Sequence, residues 1–210
     1  MIRVLIADDH PIVRKGLKTI LKDIPDIKVE DEAGDGLEVM EKIRNTDYDV
    51  LVLDLSMPKL DGFEAIKRIK AEKPEMAILI LSMNPEEVFG IRALNLGASG
   101  YLSKDIALEQ LIHAIRRVAS GKVFISQVLA ESIAQNVSRG SPKLPHEHLS
   151  DREYQIMIMI AKGKSLKAIG AELSVSVKTV STHRSHILEK MRIENNAQIV
   201  TYALQNGLLT

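Results

Sequence analysis

The feature that most restricts this chain's fold is a repeated unit in its first 120 residues. Short apolar runs at Ile2–Ala7, Lys28–Ala33, Val50–Asp54, Ala77–Ser82 and Gly100–Ser103 alternate with longer segments of helical spacing. Ile12, Leu17, Ile20, Leu21 and Ile24 form one helical stripe, Phe63, Ile66 and Ile69 another, and Leu108, Leu111, Ile112, Ile115 and Val118 a third. Strands that are apolar throughout are buried on both faces, which requires helices on each side of a parallel sheet. Right-handed crossovers then give a doubly wound, five-stranded α/β fold of flavodoxin-like type.

Such a sheet places its ligand site at the carboxyl ends of its strands. Asp8 and Asp9 end the first strand, Asp54 the third and Ser82 the fourth, and Lys104 follows the fifth. Any one of these alone is best read as a turn former or helix cap, as Asp61 and Asp105 are. Five polar groups at four strand ends on one edge need another explanation. Three carboxylates repel one another unless a cation joins them, and hard oxygen ligands suit Mg²⁺. Mg²⁺ with Lys104 suits a phosphoryl group, and the Ser82 hydroxyl can donate to one of its oxygens. Asp54 is then the candidate phosphoryl acceptor.

The rest of the chain differs in kind. Residues 1–121 hold 17 Lys/Arg and 21 Asp/Glu, and residues 122–210 hold 11 and 7, so charges of −4 and +4 cancel to the net zero of the whole. That asymmetry points to two domains with different partners. Ser126–Val137 can form a helix, and Gly140, Pro142 and Pro145 read as an exposed linker, with His146 and His148 as solvated linker histidines. The organisation expected is therefore 1–121, a linker at 122–146, and 147–210.

Residues 149–210 contain no convincing strand. Ser150 and Glu153 make a capping box at a helix start. A second helix over Leu166–Leu173, a turn at Ser174–Ser176 and a third helix over Val177–Met191 follow, and Asn195 or Asn196 can cap a fourth. The close pair fits a helix-turn-helix, and by spacing alone fits a plain helical bundle equally well. Lys178, Ser181, Thr182, Ser185 and Glu189 lie opposite the apolar stripe of Val180, Ile187 and Met191. With Arg184 and Lys190 at the flank, they suit a major groove.

Two resemblances sharpen these readings. Asp8-Asp9-His10-Pro11, Asp54 with Met57-Pro58 and Asp61-Gly62, Ser82, and Gly100-Tyr101-Leu102-Ser103-Lys104 together resemble a response-regulator receiver domain. The resemblance implies that Asp54 takes phosphate from a sensor histidine kinase. Asp9, Asp54 and the main-chain carbonyl of Ser56 would hold Mg²⁺, with Asp8 acting partly through water. Ser82 and Lys104 would grip the phosphoryl group, and Tyr101 would be an aromatic switch. Asp105 stands where many receivers have a cis proline, so a trans bond is expected.

Leu149-Ser150-x-Arg152-Glu153, Ala161-Lys162-Gly163 and Val177-Lys178-Thr179-Val180-Ser181-Thr182-His183 resemble the LuxR-type domain of NarL/FixJ regulators. DNA contacts are expected from Lys178, Thr179, Ser181, Thr182, Arg184 and Ser185, although Ser181 stands where lysine is frequent. Double-stranded DNA with inverted repeats and a homodimer formed on phosphorylation are the expected partners. Ala197, Val200, Ala203 and Leu204 are the candidate dimer face.

The alternative with the same domains is constitutive DNA binding controlled by protein partners. An enzyme is disfavoured. No Ser/Thr-rich FMN phosphate loop follows the first strand, and a haloacid-type phosphatase would need aspartate where Ser56 stands. Mg²⁺-dependent self-phosphorylation and slow dephosphorylation are the most chemistry expected. There is no cysteine for disulfides or Cys-ligated zinc. No apolar run approaches the ~18 residues of a membrane span, so no membrane partner and a cytoplasmic location are expected.

Overall fold

In a computed structural model, residues 1–139 and 144–209 are described. The chain divides into two compact units, Met1–Ser138 and Arg139–Thr210.

Up to residue 119 the first unit alternates strand and helix: β1 (Ile2–Ala7), α1 (Pro11–Leu21), β2 (Ile27–Ala33), α2 (Gly36–Asn45), β3 (Val50–Leu53), α3 (Gly62–Glu72), β4 (Ala77–Ser82), α4 (Glu86–Asn95), β5 (Gly100–Ser103) and α5 (Leu108–Ala119). All pairings are parallel, in the order β2-β1-β3-β4-β5. The order reverses between β1 and β3, so their carboxyl ends face a crevice where no crossover runs. On one face Val4, Ile6, Val50, Val52, Leu79 and Leu81 pack against Leu21 of α1 and Leu111, Ile115 and Val118 of α5. The alternate residues Leu5, Leu51, Leu53, Ile78 and Ile80 are just as buried and point to the other face. Burial on both faces is why these strands read as apolar runs.

The stripe predicted on α1 is narrower than its sequence suggests. Leu21 is buried and Leu17 and Ile24 pack against the core, but Ile12 is 88% exposed and Ile20 41%. Helix α1 lies on an outer layer, and one apolar row satisfies its contact with the sheet. The 104–105 peptide bond is trans, as are all those described.

A further helix, α6 (Gln127–Arg139), covers the segment expected to be a linker. Its Leu129 is fully buried and reaches Gly90 of α4, so the start of α6 belongs to the packing of the first unit. Gly140 and Pro142, the expected breakers, lie outside the described residues. Pro145–His148 forms a 3-10 turn. There the reading of His146 as solvated is corrected: it is buried, and its Nδ1 lies 2.8 Å from the Tyr202 hydroxyl.

The second unit is all helical: α7 (Asp151–Ala161), α8 (Leu166–Glu172), α9 (Val177–Met191) and α10 (Asn196–Gln205). Glu153–Ala161 is buried without a break, which makes α7 the central helix. Ser150 accepts from the Glu153 N–H and Glu153 reaches back to the Ser150 N–H, completing the expected capping box. Ser165, Ser176 and Asn195 cap the next three helices in the same sense.

One loop next to the sheet's carboxyl edge is built on a close approach. A Cβ added to Gly62 would sit 2.5 Å from Leu55 Cα and 2.8 Å from its carbonyl oxygen, both backbone atoms that cannot swing aside. Gly62→Ala should therefore destabilise the first unit by roughly 1–3 kcal/mol, read as a lower urea midpoint. An unchanged midpoint would contradict the packing described.

Candidate functional site

The sheet topology gathers charge at one edge. Asp8 follows β1, Asp54 follows β3, and Lys104 follows β5 across the crevice. Asp54 remains fixed to the sheet, because its N–H donates to the Ala7 carbonyl at 2.8 Å. The Lys104 Nζ lies 2.6 Å from Asp8 Oδ2 and 2.8 Å from Asp54 Oδ2, and both carboxylates are almost wholly buried. Burial pushes the Asp54 carboxyl above its ordinary range. Lys104 works against that push, and the Asp8 charge adds to it. For Lys104 burial acts downward, but the Asp54 and Asp8 charges outweigh it and hold the ammonium above its usual value.

Asp9 completes the group. Its Oδ1 is shut off from solvent with no hydrogen-bond partner. His10 Nδ1 is 2.8 Å from that atom and 3.1 Å from Asp8 Oδ1, close enough for an ion pair when the imidazole is protonated. Single ligand atoms of Asp8, Asp9, His10 and Asp54 lie within 4.8 Å of one another. Three carboxylates face one ammonium, a formal surplus of two negative charges. A buried, undonated carboxylate oxygen in an oxygen-rich cluster fits a hard divalent cation.

Polar groups from β4 and the β3–α3 loop border the pocket. Ser82 is fully buried, and its Oγ accepts from the Asn84 N–H and side-chain amide, both at 3.3 Å. The same amide nitrogen is 3.3 Å from Ser56 Oγ, while the Ser56 N–H donates to Asp54 Oδ1 at 3.3 Å. Tyr101 is fully buried, and its hydroxyl donates to the Asn84 carbonyl at 2.9 Å. Burial pushes that hydroxyl far above its ordinary range. The candidates Asp8, Asp9, Asp54, Ser56, Ser82, Tyr101 and Lys104 thus lie around one edge. Asn84 and His10 were not predicted. His10 was legible as the neighbour of an aspartate pair, but Asn84 becomes visible only once the β4–α4 loop is folded.

In the helical unit, α9 presents Lys178, Thr179, Ser181, Thr182 and Ser185 to solvent. Thr182 and Ser185 donate to the carbonyls of Lys178 and Ser181, four residues earlier, which leaves their oxygens as acceptors. Arg184 is half-buried, and its Nε donates to Asn196 Oδ1 at 2.6 Å, so it turns toward the start of α10. Lys190, read as a phosphate contact, stays exposed but its ammonium is engaged within the unit: its Nζ is 2.6 Å from Glu153 Oε2. The buried Glu153 carboxylate needs that cation. Burial acts upward on Glu153, and Lys190 with the Ser150 cap outweighs it, holding the carboxyl below its ordinary 4.5.

On α10, Ala197 and Leu204 are exposed and Val200 is half-buried. Ala203 is fully buried, which corrects its place on the expected dimer face. It lies beside Ile199 on the row that packs on α7. Gln198 and Thr201 are the exposed residues between Ala197 and Leu204.

Two stability predictions follow from the charge geometry. An aspartate whose pKa is raised on folding costs stability as a carboxylate, and that cost disappears below the unfolded value of 3.8. Asp54→Asn should raise the ion-free thermal midpoint of the first unit at pH 7, and the gain should vanish below pH 3.8. A lower midpoint at pH 7 would contradict the account. Glu153 carries the opposite sign. Its contribution is present above pH 4.5 and is lost as pH falls through the depressed folded value. Glu153→Gln should cost about 1 kcal/mol near neutrality and flatten the acid limb of the second unit's stability curve, followed by amide exchange of α7.

Comparison with known proteins supplies the remaining observation. The family described as response regulator receiver domain matches residues 4–116, and bacterial regulatory proteins, luxR family, matches residues 147–203. The response regulator UvrY of Escherichia coli K12 is 36% identical over 209 residues, covering 99% of this chain and 96% of its own. The oxygen regulatory protein NreC of Staphylococcus carnosus is 38% identical over 214 residues, covering 99% of each. Among solved structures, RcsB of Salmonella enterica serovar Typhimurium, bound to promoter rprA with the phosphomimetic BeF3−, aligns with a TM-score of 0.65 and 28% identity. It covers 96% of this chain and 97% of RcsB.

Proposed function

The chain belongs to the two-component response regulators that join a receiver domain to a LuxR-type DNA-binding domain, and from that premise we propose how its own residues carry the signal. Asp54 is the phosphoryl acceptor. A carboxylate oxygen of Asp54 attacks the phosphorus of a histidine kinase phosphohistidine, a P–O bond forms as the P–N bond breaks, and the leaving imidazole takes up a proton. The observation that supports this is the buried pair of Asp54 and Lys104 beside the undonated Asp9 oxygen.

Asp8, Asp9, Asp54 and the Ser56 carbonyl would hold Mg²⁺, whose chemistry is to neutralise charge on the phosphoryl oxygens. The chain's own groups do the rest. Lys104 is freed from Asp54 to meet a phosphoryl oxygen while keeping Asp8. Ser82 turns its hydroxyl from Asn84 toward the phosphoryl group. Tyr101, already inward, ties that movement to the β4–α4 loop through the Asn84 carbonyl. Catalysis is confined to this self-phosphorylation and its slow hydrolysis.

The second unit reads double-stranded DNA through α9. Lys178 supplies a phosphate contact, and Thr179, Ser181, Thr182 and Ser185 approach base edges. Arg184 is a contact only after it leaves Asn196. A homodimer on an inverted repeat suits a short half-site, with Ala197, Val200 and Leu204 as its face. Among the described residues no helix is long and apolar enough to cross a membrane, and a DNA-bound regulator works in the cytoplasm. A solved relative, RcsB, is bound to promoter rprA in the presence of the phosphomimetic BeF3−, and that likeness supports reading DNA binding here as phosphate-linked.

Treatment with Mg²⁺ and acetyl phosphate should add one phosphoryl group, found on Asp54 by mass spectrometry after borohydride trapping. It should also raise affinity for a selected inverted-repeat DNA at least tenfold, a shift of ~1.4 kcal/mol. Lys104→Ala should still be labelled yet gain little affinity. Equal DNA affinity before and after labelling would favour the constitutive alternative. Loss of labelling in folded Lys104→Ala would contradict the role given to Lys104.

A further inference from the structure

The β3–α3 loop runs from Asp54 to Asp61 and carries Ser56, whose carbonyl the proposed cation site uses. Two consecutive residues of this loop are held by two consecutive residues at the start of α2. Asp35 is the N-cap of α2: its Oδ1 accepts from the Leu37 N–H at 2.9 Å and the Glu38 N–H at 3.0 Å. Its second oxygen, Oδ2, takes the Lys59 Nζ at 2.5 Å. One residue on, Gly36 meets Leu60. A Cβ on Gly36 would stand 2.6 Å from Leu60 Cβ and 2.8 Å from its carbonyl oxygen, so only glycine admits the loop at this distance.

The backbone at the clamp is also costly. Lys59 has φ +65, the left-handed region that favours glycine. A lysine persists in such a conformation when its surroundings over-determine it. Here the surroundings are a helix cap and a packed glycine. The loop is short, and Ser56 lies three residues before Lys59. It is also pinned at its far end, where the Gly62 N–H donates to the Leu55 carbonyl at 3.2 Å. A loop held at Leu55, Lys59 and Leu60 leaves Ser56 little freedom.

We propose that Asp35 and Lys59 are positioning residues of the phosphorylation site: their ion pair holds the β3–α3 loop on the path that brings the Ser56 carbonyl to the cation bound by Asp9 and Asp54. The inference rests on the cation site proposed above. Neither residue touches the cation or the phosphoryl group. Because the pair sits at the surface, with the Lys59 side chain 61% exposed, its effect is small and sensitive to salt.

The test uses the full-length protein and Mn²⁺ as the probe ion, its free concentration followed by electron paramagnetic resonance and competed with Mg²⁺. Asp35→Asn keeps a good N-cap while removing the charge, and Lys59→Ala removes the cation while keeping a side chain at the left-handed position. Each should weaken Mn²⁺ binding about two- to five-fold at low salt, and the double variant should lose no more than either single one. The differences should shrink at ~1 M salt, where the Debye length is about 3 Å. Melting of the ion-free proteins should stay unchanged, which a merely structural pair would not allow. Wild-type affinity in both single variants overturns the clamp and leaves the cation site standing. Independent losses that multiply in the double variant overturn it too, as does an affinity loss that tracks a fall in melting temperature. A wild-type chain that binds no Mn²⁺ overturns the cation reading and the clamp together.

Discussion

Everything at the sheet edge depends on one electrostatic imbalance. Parallel strands β1, β3 and β5 deliver Asp8, Asp9, Asp54 and Lys104 to the same crevice, where Asp8 and Asp54 are almost wholly buried. Lys104 is shared between Asp8 and Asp54, and among the described residues Asp9 Oδ1 has no lysine or arginine beside it, only the exposed His10 ring at 2.8 Å. Desolvated charge in this state is expensive. It survives because the flanking strands are buried on both faces and hold their ends wherever the side chains would prefer to be. The fold therefore gathers a surplus of negative charge at one point, and that surplus is the physical basis of the proposed cation site.

The same logic, with the sign of the result reversed, organises the helical unit. Glu153 is buried at the first turn of its central helix, but there the demand is met from within. Ser150 donates its N–H, Lys190 of α9 supplies the cation, and His186 stands 3.7 Å away. A satisfied buried carboxylate tying α7 to α9 sets the angle at which α9 shows its outer face. One unit keeps its charge unsatisfied and is suited to ligand-driven change, while the other neutralises its charge and is suited to rigid recognition.

Much of this was legible in the residues, and what was not has physical causes. The strands were readable because double burial leaves an unbroken apolar run, and the helix starts because Ser150, Ser176 and Asn195 are strong caps. The polar strand ends Asp8, Asp54, Ser82 and Lys104 were readable because a parallel sheet sends them all one way. Tertiary pairing decided the rest. Lys190 and Arg184 look free in a helical projection, and are engaged because Glu153 and Asn196 lie on other helices. His146 looks like a linker residue until Tyr202, 56 positions later, meets its ring. Ala203 has the same small apolar character as the exposed Ala197, yet it shares the buried row of Ile199 on α10. Asn84 and the Asp35–Lys59 pair belong to loops, whose paths follow from packing rather than from periodicity.

The claim that the edge holds an unmet demand for positive charge is tested most directly by calorimetric titration of Mg²⁺ into the full-length protein and its Asp9→Asn variant. Asp9 carries the undonated oxygen and has no bond to Lys104, so its replacement removes charge without disturbing the buried pair. One Mg²⁺ should bind each wild-type chain, and Asp9→Asn, with an unchanged circular dichroism spectrum, should lose that binding by at least tenfold. Equal Mg²⁺ affinity in the two proteins would contradict the account.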